Sequence, residues 1–126
     1  MKEALSTTQA PAAIGPYSQG VKASGETVYV SGQLPIDPAT GEMPQGVEAQ
    51  AERSFSNVEA ILAATGLTLA DVVKTTVLLA DISDFAAVNA VYARRFSAPY
   101  PARSAFAVAA LPKPGALLEV EAVAVR

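Results

Sequence analysis

Neither cysteine nor histidine occurs anywhere in the 126 residues. Without cysteine there is no disulfide framework and nothing that hints at secretion. Without either residue, every Ser-His, Cys-His and histidine-based zinc arrangement is excluded. A site must be assembled from Arg, Glu, Asp, Lys, Tyr, Ser, Thr, Asn and backbone. Long apolar runs are also missing. Although 51% of the residues are hydrophobic, no window approaches the roughly 20 apolar residues that span a bilayer. The opening MKEALSTTQA has no apolar stretch of the kind a secretory leader needs, so a cytoplasmic protein with no membrane partner is expected. Positive charge is short as well. Nine basic against twelve acidic residues leave a net charge of -3, and Arg94-Arg95 is the only basic cluster. That balance argues against binding a phosphate backbone, and no nucleic acid partner is expected. The length suits one domain, residues 1–126.

The hydrophobic pattern supplies the elements. Residues 1–16 read as an irregular lead-in, because APAAIGP is too rich in Pro and Gly. Tyr17 to Ala23 reads as a short strand, Ser24–Glu26 as a turn, and TVYVSG from Thr27 as a clear strand. The run LPIDPATGEMP suggests a hairpin-like connection from Leu34–Ile36 to a brief return at Glu42–Met43. Gly46 to Thr65 is the strongest helix: Val47, Ala51, Phe55, Val58, Ile61 and Leu62 recur at helical spacing, and Gly66 stops it. Thr68–Asp71 adds a turn. Val72–Ala80 is a strand, and Asp84–Phe96 a second helix with Phe85, Val88, Val91, Tyr92 and Phe96 on its apolar side. Strands follow at Arg103–Ala110 and Leu117–Val125. The order β-β-(β)-α-β-α-β-β predicts an α+β fold with a mixed β-sheet and two helices packed on one face.

Those last strands are apolar on both sides. Leu118, Val120, Ala122 and Ala124 form one side of the final strand, Glu119, Glu121, Val123 and Val125 the other. Two helices cover one face only. The second face needs either a thicker core or, as we prefer, copies of the same chain in a homo-oligomer.

Within this apolar setting, PARSAF places Arg103 at the mouth of a strand. A guanidinium keeps its charge, so burial without an anion is costly. Either it pairs with Glu119 or Glu121, which lie about 7 Å apart on one face of the last strand, or it holds a ligand carboxylate in its planar fork. In the second case a neighbouring glutamate is a candidate general base or water holder. Tyr17 in GPYSQG, Ser31 ending an apolar strand, and Asn89 within AAVNAVY are further polar candidates, each of which also has an ordinary structural explanation.

Taken together, APAAIGPYSQG (10–20), VYVSGQLPIDPATGE (28–42), VVKTTVLLADISDFAAVNAVYARRF (72–96), PARSAF (101–106) and LEVEAVAVR (118–126) resemble the Rid family, the reactive intermediate deaminases once catalogued as translation inhibitors. The resemblance spans nearly the whole chain and is nearest to the RidA branch. It implies a chorismate-mutase-like (Rid) fold, a homotrimer with sites in clefts between subunits, and no cofactor. The implied activity is hydrolysis of reactive enamines and imines, chiefly 2-aminoacrylate and 2-iminopropanoate, to 2-oxoacids and ammonia. Carried over, Arg103 grips the substrate carboxylate, Glu119 stands near the water, and Tyr17, Ser31 and Asn89 line the cleft; Glu121 is read as structural. Many relatives have cysteine where this chain has Ala105, which casts doubt on any thiol-dependent role but not on direct addition of water. The alternatives are a 2-oxoacid-binding module without turnover, which needs only the arginine, and RNA cleavage or translation inhibition.

Overall fold

The computed structural model describes all residues, 1–126. Its elements are β1 (Lys2–Leu5), β2 (Gly20–Ala23), β3 (Thr27–Gln33), α1 (Val47–Ala63), β4 (Val72–Leu79), α2 (Phe85–Arg95), β5 (Ala102–Ala107) and β6 (Leu118–Val125), with short 3₁₀ turns before β4 and α2. The α+β reading holds: α1 and α2 pack together and α1 lies across β3 and β6 of a four-stranded mixed sheet.

The order in that sheet is β3-β6-β4-β5. β6 runs antiparallel to both β3 and β4, whereas β4 and β5 are parallel, joined by α2 as the crossover. β5 and β6 are therefore not neighbours, although they follow each other in sequence. The core lies between sheet and helices. Val72, Thr75, Val77 and Leu79 of β4 and Leu118, Val120, Ala122 and Ala124 of β6 point into it, against Phe55, Val58 and Leu62 of α1 and Val88, Val91 and Tyr92 of α2. Phe55 meets the Tyr92 and Phe96 rings edge-on, and Tyr92 stacks on Phe96 with centroids 4.3 Å apart.

The opposite face of the sheet is open. Tyr29 is 78% exposed and Phe106 46% exposed on it, with Glu121 and Lys74 alongside. Two aromatic side chains thus stand part-exposed on a sheet face that the two helices leave uncovered.

Two details differ from expectation at the N-terminal end. Lys2–Leu5 is not irregular but pairs antiparallel with β2, register Lys2↔Ala23 to Leu5↔Gly20. The sequence KEAL has little strand propensity, so partner contacts carry it. The chain's amino group donates to Ser24 O at 2.9 Å. Conversely Glu42–Met43 forms no strand: the hairpin-like connection closes through Asp37 N–H donating to Glu42 O at 2.8 Å. Pro35 and Pro38 deny a longer ladder its donors. No helix is long and apolar enough to cross a membrane.

Candidate active site

Arg103 sits on β5 opposite Thr75 of β4. Thr75 is fully buried toward the helices, so the arginine shares that face and lies beneath α2. Three residues of α2 at i, i+4 and i+7, namely Phe85, Asn89 and Tyr92, fall on the one helix face that meets it. The guanidinium carbon stands 4.8 Å from the centroid of the Tyr92 ring, 5.5 Å from Phe85 and 5.2 Å from Tyr17. Nη1 donates to Asn89 Oδ1 at 2.6 Å. These rings attract the cation and fix its plane.

No carboxylate of the chain pairs with Arg103; the ion pairs all involve Arg94, Arg95 and Arg126. The internal ion pair with Glu119 or Glu121 is thereby ruled out within one chain. Burial pulls the guanidinium below its ordinary pKa, opposed by the neighbouring Tyr92 and Tyr17 hydroxyls, yet the group stays charged at physiological pH. With Asn89 on Nη1, Nε and Nη2 remain without a protein partner.

Tyr92 is the floor of this arrangement. Its hydroxyl shares a 2.8 Å hydrogen bond with Thr75 Oγ1, and burial pushes its pKa up to about 12. Tyr17 is brought in by the segment before β2. Ser18 N–H donates to Pro101 O at 3.0 Å, and Ser18 bridges Ala102 in parallel, directly beside Arg103. Ile14 N–H donates to the Tyr17 hydroxyl at 3.4 Å.

Ser31 and Glu119 lie elsewhere. Glu119 is opposite Leu78 on β4, an odd three residues from Thr75, so it points to the open face. Two strand spacings, roughly 10 Å, also separate β5 from β6. Glu119 packs against the irregular Val30–Gln33 stretch of β3, where a methyl group on Gly32 would fall 2.7 Å from Glu119 Cδ. Ser31 is exposed there and, with Tyr29, Lys74, Thr76 and Glu121, lines a depression of about 330 Å³. The chain thus gathers Arg103, Asn89 and Tyr17 under α2, leaves Ser31 and Glu119 on the open face, and does not bring the two sets together. None of the five main depressions of the single chain is lined by Arg103.

Phe85 and Tyr92, which the sequence places on the apolar side of the second helix, contribute to the arrangement, as does Thr75, for which the sequence offers no sign. The available signal was Asn89, a polar residue in line with the apolar positions Phe85 and Tyr92 of the helix.

A family model described as endoribonuclease L-PSP matches residues 7–126. The crystal structure of RidA from an Antarctic Psychrobacter bacterium is 51% identical, superimposes with a TM-score of 0.77, and covers 98% of this chain and 99% of its own. The chain belongs to the Rid family. Other Rid relatives are equally near in sequence. The goat 2-iminobutanoate/2-iminopropanoate deaminase is 52% identical over 127 residues, spanning 100% of this Rid chain and 91% of its own. Escherichia coli TdcF, solved with bound serine, is 48% identical with a TM-score of 0.77, covering 98% of both chains.

Proposed function

We propose that this Rid protein is a homotrimer that hydrolyses 2-imino acids, such as 2-iminopropanoate and 2-iminobutanoate, to 2-oxoacids and ammonia. The observation that carries the reading is a half-buried arginine, caged by three rings, with no acid of its own and one edge free. A small carboxylate is the natural occupant of such a fork. Relatives named as imino acid deaminases and a TdcF structure holding serine, itself an amino acid carboxylate, support the same choice.

The chemistry asks little of the protein. A protonated imine is already electrophilic at C2. Water adds there, its oxygen forming the new bond while a proton is lost to a nearby base. Proton transfer to nitrogen and cleavage of the C–N bond then release ammonia, and loss of the hydroxyl proton to the base or to the departing ammonia leaves the C2 carbonyl. Arg103 holds the carboxylate and so fixes C2, which recovers part of the entropy of bringing reactants together. Glu119 is the base and water holder in this scheme. Because it faces away from Arg103 within one chain, it comes from the neighbouring subunit, along with Ser31. A trimer built on the exposed Tyr29 and Phe106 face brings the two sets into one cleft and covers that face at once.

The family description favours a second reading, RNA cleavage. Against it, Arg94 and Arg95 are already neutralised by Glu48, Glu52 and Glu59, which leaves no basic track for phosphates. One assay separates the readings. A dehydratase generates 2-aminoacrylate from serine, semicarbazide traps the imine, and the protein is expected to lower the trapped fraction with total pyruvate unchanged. Glu119→Gln is expected to slow turnover more than it weakens 2-oxoacid binding; equal losses would leave a carboxylate-binding module. RNA degradation without imine clearance would overturn the proposal.

A further inference from the structure

We infer that Gln19 is a positioning residue that pins the strap of residues 7–16 against the Arg103 grouping, so that the carboxylate edge is held ready before ligand arrives; this rests on the carboxylate reading above. The strap, TTQAPAAIGP, contains no regular element and sits outside the buried core. Four hydrogen bonds tie it to one side-chain amide. Thr7 N–H donates to Gln19 Oε1 at 2.7 Å, and Gln19 Nε2 donates to Thr7 O at 3.1 Å, Ala10 O at 3.3 Å and Pro11 O at 2.6 Å. Three carbonyls share the two amide protons, so only a neutral amide in this orientation suits all four partners.

The anchor is fixed to the site. Gln19 follows Ser18, which bridges Ala102 next to Arg103. The far end of the strap reaches the site too: a methyl group on Gly15 would stand 3.5 Å from Tyr17 Cε1 and 3.6 Å from Asn89 Nδ2. One side chain therefore pins the first half of a loop whose far end closes over Asn89 and Tyr17, the partners of the guanidinium. Removing it frees the strap to sample other arrangements. Apparent affinity then falls by the fraction of time the competent arrangement is lost.

The test uses Gln19→Ala and Gln19→Glu in the full-length protein, with 2-oxobutanoate as probe. Gln19→Ala is expected to raise its Kd about tenfold, from a strap correctly placed roughly a tenth of the time, with kcat changed far less than KM. Gln19→Glu, nearly the same shape, is expected to bind as weakly as Gln19→Ala or worse, because its carboxylate faces three carbonyl oxygens. A volume-filling role predicts the reverse order and overturns the inference. Hydrogen exchange of residues 7–17, read without ligand, is expected to quicken in both variants; unchanged exchange also overturns it. If wild-type protein fails to bind 2-oxobutanoate, the carboxylate reading falls, while the exchange measurement still decides whether Gln19 holds the strap.

Discussion

Replacing Arg103 by lysine keeps a positive charge and discards the fork. Since Nη1 is taken by Asn89, the guanidinium offers Nε and Nη2 as parallel donors to an incoming carboxylate. A hydrogen bond to a charged group contributes about 1.5–3 kcal/mol. Lysine replaces one of the two, so the variant loses roughly 1.5–3 kcal/mol, or about 10- to 150-fold in kcat/KM. Arg103→Ala loses both and falls by about 10²- to 10⁴-fold. Because no acid pairs with Arg103, neither change strands a buried carboxylate. The melting temperature is expected to move by less than about 5 °C, the shift that ~1 kcal/mol produces in a domain of this size. The readout is the rate at which 2-aminoacrylate escapes semicarbazide trapping, alongside thermal unfolding of each variant. A lysine variant with half the wild-type rate or more removes the fork from the mechanism. An alanine variant that unfolds more than about 10 °C early makes the arginine a structural member instead.

Three further outcomes are expected. Tyr92→Phe leaves Thr75 Oγ1 buried without its partner and costs about 1–3 kcal/mol in denaturant unfolding, while the ring under the guanidinium and the 2-oxoacid affinity persist. The Tyr92 hydroxyl, raised from 10.0 to about 12 in the folded state, holds its proton more tightly there than in the unfolded chain. Its contribution is complete below pH 10 and is lost as pH rises through 12; the stability difference between wild type and Tyr92→Phe is expected to shrink across that interval, and a constant difference refutes the assignment. Gly32→Ala pushes the Glu119 carboxyl aside, so turnover is expected to fall by more than tenfold with little change in melting; unaltered turnover removes Glu119 from the reaction. Sedimentation at micromolar concentration is expected to show a trimer, and Phe106→Glu to dissociate it; a well-folded wild-type monomer there overturns the shared cleft.

The sequence shows its helices and inner strands because local periodicity is enough to mark them. α1 at Val47–Ala63 and β4 at Val72–Leu79 fall within a few residues of the expected Gly46–Thr65 and Val72–Ala80. Pairing is not written in periodicity. The LPKPG turn invites a hairpin between β5 and β6, but α2 carries the chain across so that β5 joins β4 in parallel and β6 inserts on the far side. For the same reason Arg103 and Glu119 look like neighbours in the sequence and lie on opposite faces in the fold. Tyr17 and Asn89 were legible as polar residues out of place. Tyr92 was not, because one side of its ring has the credentials of any core residue and only the tertiary structure reveals what rests on the other.

That double duty has a thermal consequence. The ring beneath the guanidinium is stacked on Phe96 and wedged by Phe55, so the floor of the pocket has no freedom that the interior lacks. Any loosening of this ring is therefore a loosening of the aromatic interior itself, whereas the Tyr17 side of the guanidinium, carried by the segment before β2, can relax while the core stays packed.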